Sequence, residues 1–189
     1  YALTNVFICV AIGGGIGSSV IISQFLGAGK IGKMKTAVFT TMINFLVISV
    51  ILGTVGAVFN HQILSWVNTP EDIFSDAALY LAIYFLGLPF LFMYNVQASI
   101  FNSLGDSRRP LYLLIFSSLL NIVFVICFRQ GVRGVAVATL IAQGVSAVIS
   151  FFLLMRKLKG YEEEEAYGYY DLGMMRSMVK IAVPSTLQQ

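Results

Sequence analysis

The sequence predicts an all-α integral membrane protein, and three observations support this class. Hydrophobic residues make up 58% of the chain and charged residues only 11%, whereas a soluble domain is about a quarter charged. The alternating pattern of a membrane-barrel strand is absent, so hydrogen-bond satisfaction in lipid requires helices. Five long runs contain no Asp, Glu, Lys, Arg or His, at about 6–26, 37–59, 77–101, 110–128 and 134–155.

Each run can cross a hydrocarbon core of roughly 30 Å at about 1.5 Å per residue. The first contains "GGGIG" (Gly13 to Gly17), which allows close helix packing. "TPED" (Thr69 to Asp72) predicts an N-cap, a proline at the first helical position and acids in the first turn. We therefore expect a short interfacial helix on the outer side, with Trp66 near the headgroups. In the third run, Gly87 and Pro89 predict a kink or break.

The connections between the runs differ in charge. One side carries ten basic residues, and the other carries only Arg129 and Arg133. Because basic residues concentrate in cytoplasmic loops, the loops near 30–35, 105–109 and 156–177 are predicted to be cytoplasmic. The expected location is the cell membrane, with several crossings.

The predicted organisation has three parts. Residues 1–156 form the transmembrane helices, residues 157–177 a cytoplasmic linker, and residues 178–189 the start of another helix. The linker contains "GYEEEEAYGYYD", which is too charged and too rich in Gly and Tyr to cross a membrane. Its four glutamates indicate a solvated run rather than a metal site. Because the chain begins with Tyr1 and stops in an apolar segment, we expect a fragment of a longer protein, cut at both ends.

Polar residues recur at helical spacing inside the runs. An amide in lipid is costly, so these side chains should face other helices or water. Two interpretations stay open, namely hydrogen bonds between helices and a polar cavity through which a substrate passes. Asn121 and Thr139 are the first candidates for a cavity, and Asn95, Ser117 and Gln143 are further ones. The stripes also include Gln24, Asn44, Ser99, Asn102, Ser146 and Ser150.

Catalytic constellations are missing from the sequence. It contains no phosphate-binding loop, Ser/His/Asp set or zinc spacing, and its one histidine, His61, lies in an outer loop. Cys9 and Cys127 fall inside apolar runs, as small core residues do. We predict no enzyme activity, no cofactor, no metal site and no nucleic-acid partner. All nine acids lie outside the five runs, although an ion-coupled carrier usually needs an intramembrane carboxylate.

The segment from Tyr80 to Tyr112 resembles the MATE family, the multidrug and toxic compound extrusion transporters. It holds a helix with Gly-x-Pro, the loop "LGD" with basic residues, and Pro110 opening the next helix. Four other segments agree in the same order: "SQFLGAGK" (Ser23 to Lys30), "NIVF" (Asn121 to Phe124), "GVRGVAVATLIAQG" (Gly131 to Gly144) and "IAVPSTLQQ" (Ile181 to Gln189).

The resemblance implies a twelve-helix protein of two six-helix lobes, of which this chain supplies helices 2 to 6 and the start of helix 7. The loop "NSLGDSRRP" would be a cytoplasmic turn in which Gly105 makes the bend and Asp106 stays in water. The implied activity is export of organic, often cationic, compounds in exchange for Na⁺ or H⁺. The implied partners are a small organic substrate, the bilayer and the C-terminal lobe of the same protein.

The resemblance also implies an ion site. In many prokaryotic members it uses an acid on helix 1, an Asn on helix 5, an acid or amide one turn later, and a Thr on helix 6. Asn121 and Thr139 match the Asn and the Thr, whereas Val125 replaces the acid or amide and removes one ligand. A lipid-linked oligosaccharide flippase of the same wider superfamily and a non-transporting membrane scaffold are the alternative functions.

Overall fold

The computed structural model describes residues 2–128, 131–162 and 166–187. This part of the chain contains helices and short connections but no strand, so the all-α class is confirmed. The helices are α1 (Ala2–Gly27), α2 (Ile31–Val58), α3 (Asn60–Trp66), α4 (Glu71–Ser103), α5 (Arg108–Phe128), α6 (Gly131–Lys159) and α7 (Leu172–Leu187).

Five of these helices are long and apolar enough to cross a membrane, which confirms the five predicted runs. The spans are Phe7–Gly27, Ile31–Val58, Glu71–Ser103, Arg108–Cys127 and Arg133–Lys159. The connections α1–α2, α4–α5 and α6–α7 follow alternate spans, so they lie at one end of the bundle. We name this the basic end, because it carries Lys30, Arg108 and Lys157.

Helix α4 occupies the centre of the bundle. It packs against α1, α2 and α6, and its Phe85, Phe92 and Phe101 side chains are fully buried. Helix α5 packs mainly against α6. Its outer face exposes Leu111, Ile115, Leu119, Ile122 and Ile126, as expected of a helix that faces lipid.

Helices α4 and α6 run in the same direction. A Cβ on Gly87 would lie 3.1 Å from Leu140 Cδ1, and near the basic end Lys157 Nζ contacts the Leu104 carbonyl at 3.4 Å. In both contacts the α6 residue has a number about 53 higher than its α4 neighbour. Along the whole contact, a residue of α4 therefore lies beside the α6 residue numbered about 53 higher.

The predicted bend at Gly105 is confirmed, and its geometry is a Schellman motif. Gly105 has φ +73°, a conformation that glycine adopts without steric cost. Its N–H donates to Asn102 O at 3.0 Å, and the Asp106 N–H donates to Phe101 O at 2.9 Å. These bonds satisfy carbonyl groups that the end of α4 would otherwise leave unpaired.

Pro89 does not interrupt α4, which runs without a break from Glu71 to Ser103. A proline cannot donate the hydrogen bond to the carbonyl four residues earlier, here that of Phe85. On α2, a Cβ at Gly53 would lie only 2.7 Å from this Phe85 oxygen. The freed carbonyl is thus covered by the bare backbone of Gly53, which explains why a glycine is needed there.

The prediction for "TPED" was partly wrong. The acids Glu71 and Asp72 do occupy a first helical turn, but Pro70 is the N-cap and no side chain caps the helix. That helix is α4 itself, because no residue after Asp72 breaks it. The short helix is α3, which precedes "TPED" and ends at Trp66; Trp66 is 80% exposed.

The helix expected near Met178 begins earlier, as α7 at Leu172. Asp171 explains the difference, because its Oδ1 accepts a hydrogen bond from the Met174 N–H at 2.9 Å, as an N-cap does. Helix α6 likewise continues to Lys159. The linker between the helices is therefore shorter than the predicted 157–177. Of its four glutamates, residues 163–165 lie outside the described residues.

Candidate functional site

The two first candidates lie together at the contact between α5 and α6. Asn121 Nδ2 donates a hydrogen bond to Thr139 Oγ1 at 3.0 Å. Thr139 Oγ1 in turn donates to Val135 O of its own helix at 2.9 Å. No donor among the described residues reaches Asn121 Oδ1. This pair thus presents one amide oxygen and one hydroxyl oxygen with lone pairs that could bind a cation.

Ser117 lies one turn before Asn121 and faces α6. Its Oγ lies 3.5 Å from Ala142 O, which is the outer limit for a hydrogen bond. Val125 lies one turn after Asn121 and is half-buried. The polar stripe of α5 therefore ends at Asn121, and the next position contributes only a hydrocarbon surface.

Thr139 and Gln143 line a small cavity between α4 and α6. Its volume is about 20 Å³, which is room for about one water molecule. Tyr80 and Tyr84 of α4 form the opposite side. The predictions from sequence missed these two tyrosines, although their spacing of four residues places both on one face of α4.

Asn95 does not join this group. Its Nδ2 donates to Leu91 O of its own helix at 2.8 Å, and its backbone carbonyl accepts a hydrogen bond from Ser99 Oγ at 3.1 Å. Ser99 faces α1, where a Cβ on Gly15 would lie 2.5 Å from its Oγ. By the offset between α4 and α6, Asn95 lies about 13 Å along the helix axis from Thr139.

We did not predict from the sequence that two polar side chains would be buried without a hydrogen-bond partner. Gln97 on α4 and Ser146 on α6 are 1% and 0% exposed. Gln97 Oε1 and Ser146 Oγ have no hydrogen-bond partner among the described residues. The available signal for Gln97 was an amide in an apolar run, two positions from both Asn95 and Ser99, and its burial depended on the position of α4 at the centre of the bundle.

A larger cavity of about 380 Å³ lies between α1, α2 and α7. This volume falls in the range of small-molecule pockets. Most of its lining is apolar, including Phe45, Met175 and Met178, and polar groups come from Thr41 and Asn44 among others. The prediction that Asn44 faces a helix neighbour or water is confirmed, since it lines this cavity.

At the basic end, Asp106 forms ion pairs with two cations. Its Oδ2 lies 3.0 Å from Lys157 Nζ and 3.3 Å from Arg109 Nε, and only 18% of its side chain is exposed. Burial by itself would raise the pKa of Asp106. The hydrogen bonds from Lys157 and from the Arg109 N–H, with the two positive charges, outweigh it and hold the pKa below its ordinary value. Asp106 is thus ion-paired while part of its side chain stays exposed.

Among the described residues, no group of three His, Cys, Asp or Glu side chains could hold a metal ion. The polar groups of the bundle are neutral oxygens and amides, while the charged groups lie near its ends. This arrangement suits binding and passage of a solute.

A comparison with protein-family models finds one match, to the family described as MatE, over residues 1–127. This is more than half of the chain. The chain belongs to the MatE family. Members of this family are transporters rather than enzymes, so the prediction that the chain is not an enzyme is confirmed. Together with the five spans, membership makes this a multi-pass membrane protein of a transporter family.

Among individual MatE relatives, the chain is 32% identical over 167 residues to the probable multidrug resistance protein YoeA of Bacillus subtilis (strain 168). The match covers 84% of this chain and 35% of that protein, so the chain spans about a third of this relative's length.

Two solved MATE transporter structures share its fold. An inward-facing one has a TM-score of 0.85 at 20% identity and covers 99% of this chain and 44% of that one. An outward-facing one has a TM-score of 0.84 at 21% identity and covers 98% and 42%.

Proposed function

We propose that the full-length protein is an antiporter that exports organic, often cationic, compounds in exchange for Na⁺ or H⁺ by alternating access. Membership in the MatE family and similarity to a protein named for multidrug resistance support the export of organic compounds. The observation that carries the ion-coupled part is the hydrogen bond between Asn121 and Thr139. The resemblance implied these two residues as ion ligands, and they lie side by side.

Their chemistry distinguishes the two coupling ions. Neutral amide and hydroxyl oxygens can coordinate a metal cation directly, but neither titrates near neutral pH. For Na⁺, Asn121 and Thr139 would act as ligands. For H⁺, they would orient and hydrogen-bond a carboxylate, which the resemblance implies on helix 1. The Val125 side chain adds no oxygen. In either case, Asn121 and Thr139 therefore supply a larger share of the oxygens at the site than they would beside a third ligand.

The first test is dye export by cells that produce the full-length protein. Wild-type protein should lower the accumulation of ethidium, and Asn121→Ala or Thr139→Val should restore much of it. Thr54→Val is the matched control, since the Thr54 hydroxyl bonds only Val50 O of its own helix at 2.8 Å and is exposed. Dye levels that stay unchanged across several organic cations would contradict the proposal and favour the flippase alternative.

The coupling ion needs a second measurement, on the same protein in liposomes with an imposed Na⁺ or pH gradient. If Na⁺ drives export, loss of one ligand in Asn121→Ala should raise the Na⁺ concentration for half-maximal export about tenfold, or roughly 1.4 kcal/mol. If only a pH gradient drives export, Asn121→Ala should instead shift the pH dependence. Export that needs neither gradient would contradict coupling.

The orientation is part of the proposal. We infer that the basic end lies in the cytoplasm and that α3 lies on the outer side of the cell membrane. Single cysteines at Ser107 and at Asn68 in a cysteine-free protein should then react oppositely with an impermeant maleimide on whole cells. Asn68→Cys should be labelled from outside, and Ser107→Cys only after the cells are opened.

A further inference from the structure

The described part of the segment that connects α6 to α7 contacts one face of α2. We name this part, residues 161, 162 and 166–171, the strap. The α2 residues that contact it are spaced so that they share a face of that helix. They are Lys35, Thr36, Phe39, Thr40 and Asn44.

The strap begins at a buried lysine. Lys35 is only 3% exposed, and its Nζ donates to the Tyr161 carbonyl at 3.0 Å. The same ammonium group lies 5.4 Å from the centre of the Tyr167 ring, within the range of a cation–π interaction. Since a charge is costly to bury without partners, these contacts hold both strap residues to Lys35.

The middle of the strap is held through its backbone. The Gly168 N–H donates to Thr36 Oγ1 at 3.1 Å, and the Asp171 N–H donates to Thr40 Oγ1 at 3.0 Å. Thr36 is 7% exposed and Thr40 is fully buried. Two buried hydroxyl groups of α2 therefore accept hydrogen bonds from strap amides, of which Gly168 is exposed and Asp171 partly buried.

Aromatic rings complete the contact. Phe39 stacks on Tyr167 with ring centres 5.9 Å apart and packs edge-on against Tyr169 at 5.4 Å. The Tyr170 hydroxyl donates to Asn44 Oδ1 at 3.1 Å. Hydrogen bonds, a cation and stacked rings thus all hold the strap on α2.

The strap leads directly into a tightly packed helix. Its last residue, Asp171, is the N-cap of α7, and α7 lies against α1. A Cβ on Gly17 of α1 would lie 2.6 Å from Met178 O and 2.9 Å from Ala182 Cβ. The backbones of α1 and α7 therefore touch, so the first part of α7 is fixed on two sides, by α1 and through the strap by α2.

We propose that the strap stays bound to α2 throughout transport, so that α7 moves together with α1 and α2. A Cβ on Gly13 of α1 would lie 2.8 Å from Thr186 Cα, so the close contact with α1 continues beyond Pro184. The moving joint with the rest of the protein then begins no earlier than Thr186, rather than in the linker. This inference rests on the proposed transport function, because it locates the joint of that movement.

The similarity to known structures is consistent with a fixed unit. An inward-facing and an outward-facing MATE transporter match nearly the whole chain equally well, α7 included. The arrangement of these seven helices is thus common to folds that face opposite sides.

The decisive test is a cross-link in the full-length protein, in a background from which the native cysteines have been removed. A Cβ on Gly168 would lie 4.0 Å from Thr36 Cγ2, an atom that occupies a position like that of a cysteine sulfur, so we expect Thr36→Cys with Gly168→Cys to form a disulfide under oxidant, and gel mobility checks that it has formed. We expect the oxidised double variant to export dye within about twofold of the reduced one. Loss of export on oxidation, restored by reduction, would show that the strap must detach and would overturn the inference. Each single cysteine variant under the same oxidant controls for damage.

Hydrogen exchange tests the strap without any transport assay. The Gly168 and Asp171 amides should exchange slowly, and equally so with and without Na⁺ or at two pH values. Thr36→Val and Thr40→Val should each speed exchange at the partner amide at least about tenfold, whereas Thr54→Val should not. Fast exchange in the wild-type protein, or protection lost when the ion binds, would refute a fixed strap. Wild-type protein that exports nothing but retains this protection would contradict the proposed function and leave the strap contacts supported.

Discussion

Gly17→Ala is the sharpest test of the contact between α1 and α7. The new methyl carbon would lie 2.6 Å from the Met178 carbonyl oxygen and 2.9 Å from both Ala182 Cβ and Ala182 N. Close C···O contacts in proteins are about 3.3–3.6 Å, so the helices must separate by roughly 0.7–1 Å. Backbone atoms cannot rotate away as a side chain can, and the separation is therefore shared along the contact.

The size of the effect follows from packing. A gap of about 0.5–1 Å loses a quarter to a half of the dispersion attraction between facing atoms, and overpacking typically destabilises by about 1–3 kcal/mol. Alanine also gains about 1 kcal/mol of helix propensity over glycine. Gly27→Ala at the end of the same helix gains no more helix propensity than this and causes no clash, since nothing lies within 4 Å of its Cβ position. Gly17→Ala should therefore be about 1–3 kcal/mol less stable than Gly27→Ala.

The assay is thermal or denaturant unfolding of the purified full-length variants in one detergent. Adding Ala182→Gly to Gly17→Ala should recover part of the loss, because it removes one of the clashing atoms but leaves the Met178 carbonyl. If Gly17→Ala and Gly27→Ala are equally stable, the close contact of α1 with α7 is refuted.

Three further results are expected. The pKa of Asp106 is lower in the folded protein, so the stabilisation that this carboxylate provides is complete above the ordinary carboxyl pKa and is lost as the pH falls through the folded value. Asp106→Asn should therefore remove this loss of stability at acid pH from a profile of melting temperature against pH, and identical profiles would contradict the pairing with Lys157. Gln97→Leu should raise stability by about 1 kcal/mol, since it removes a buried oxygen without a partner, and a clear loss in unfolding measurements would show a hidden partner. Trp66 is 80% exposed, so its fluorescence, measured as the difference between the wild-type protein and Trp66→Phe, should be quenched by iodide or by brominated lipid. If neither quencher reduced this fluorescence, the result would contradict the exposure of Trp66 at the surface.

The sequence predicts the spans well because the signal is physical and local. A run without charges needs no tertiary information to be recognised, and the bend at Gly105 follows from glycine's access to positive φ. The start of α7 was misplaced because Asp171 is followed by Gly173, and the "DLGMM" turn is a weak helical signal without the contacts of the strap. The ion pair of Asp106 with Lys157 was missed for a related reason, because the two residues are 51 positions apart in sequence.

The candidate site divides in the same way. Helical spacing was enough to place Ser117 and Asn121 on one face of α5, and that face meets α6. Spacing within one helix says nothing about which residues of another helix lie opposite. The pairing of Asn121 with Thr139 came from resemblance, and the place of Asn95 far from them depends on the offset between α4 and α6.

The position of α5 gives the Asn121 and Thr139 pair a significance beyond ligand geometry. Helix α5 packs mainly against α6, and most of its other faces are exposed apolar surface. The dispersion contacts that fix α4 at the centre of the bundle are therefore few for α5, and regions with few buried contacts open most easily. The hydrogen bonds of Asn121 and Ser117 are the polar links that orient α5 on α6.

A cation bound between Asn121 Oδ1 and Thr139 Oγ1 would bridge the same two helices. By linkage, an ion that prefers the closed arrangement of α5 on α6 stabilises that arrangement. The proposed ion site would thus lie where binding energy can act on a weakly held helix rather than on the rigid contacts of α4.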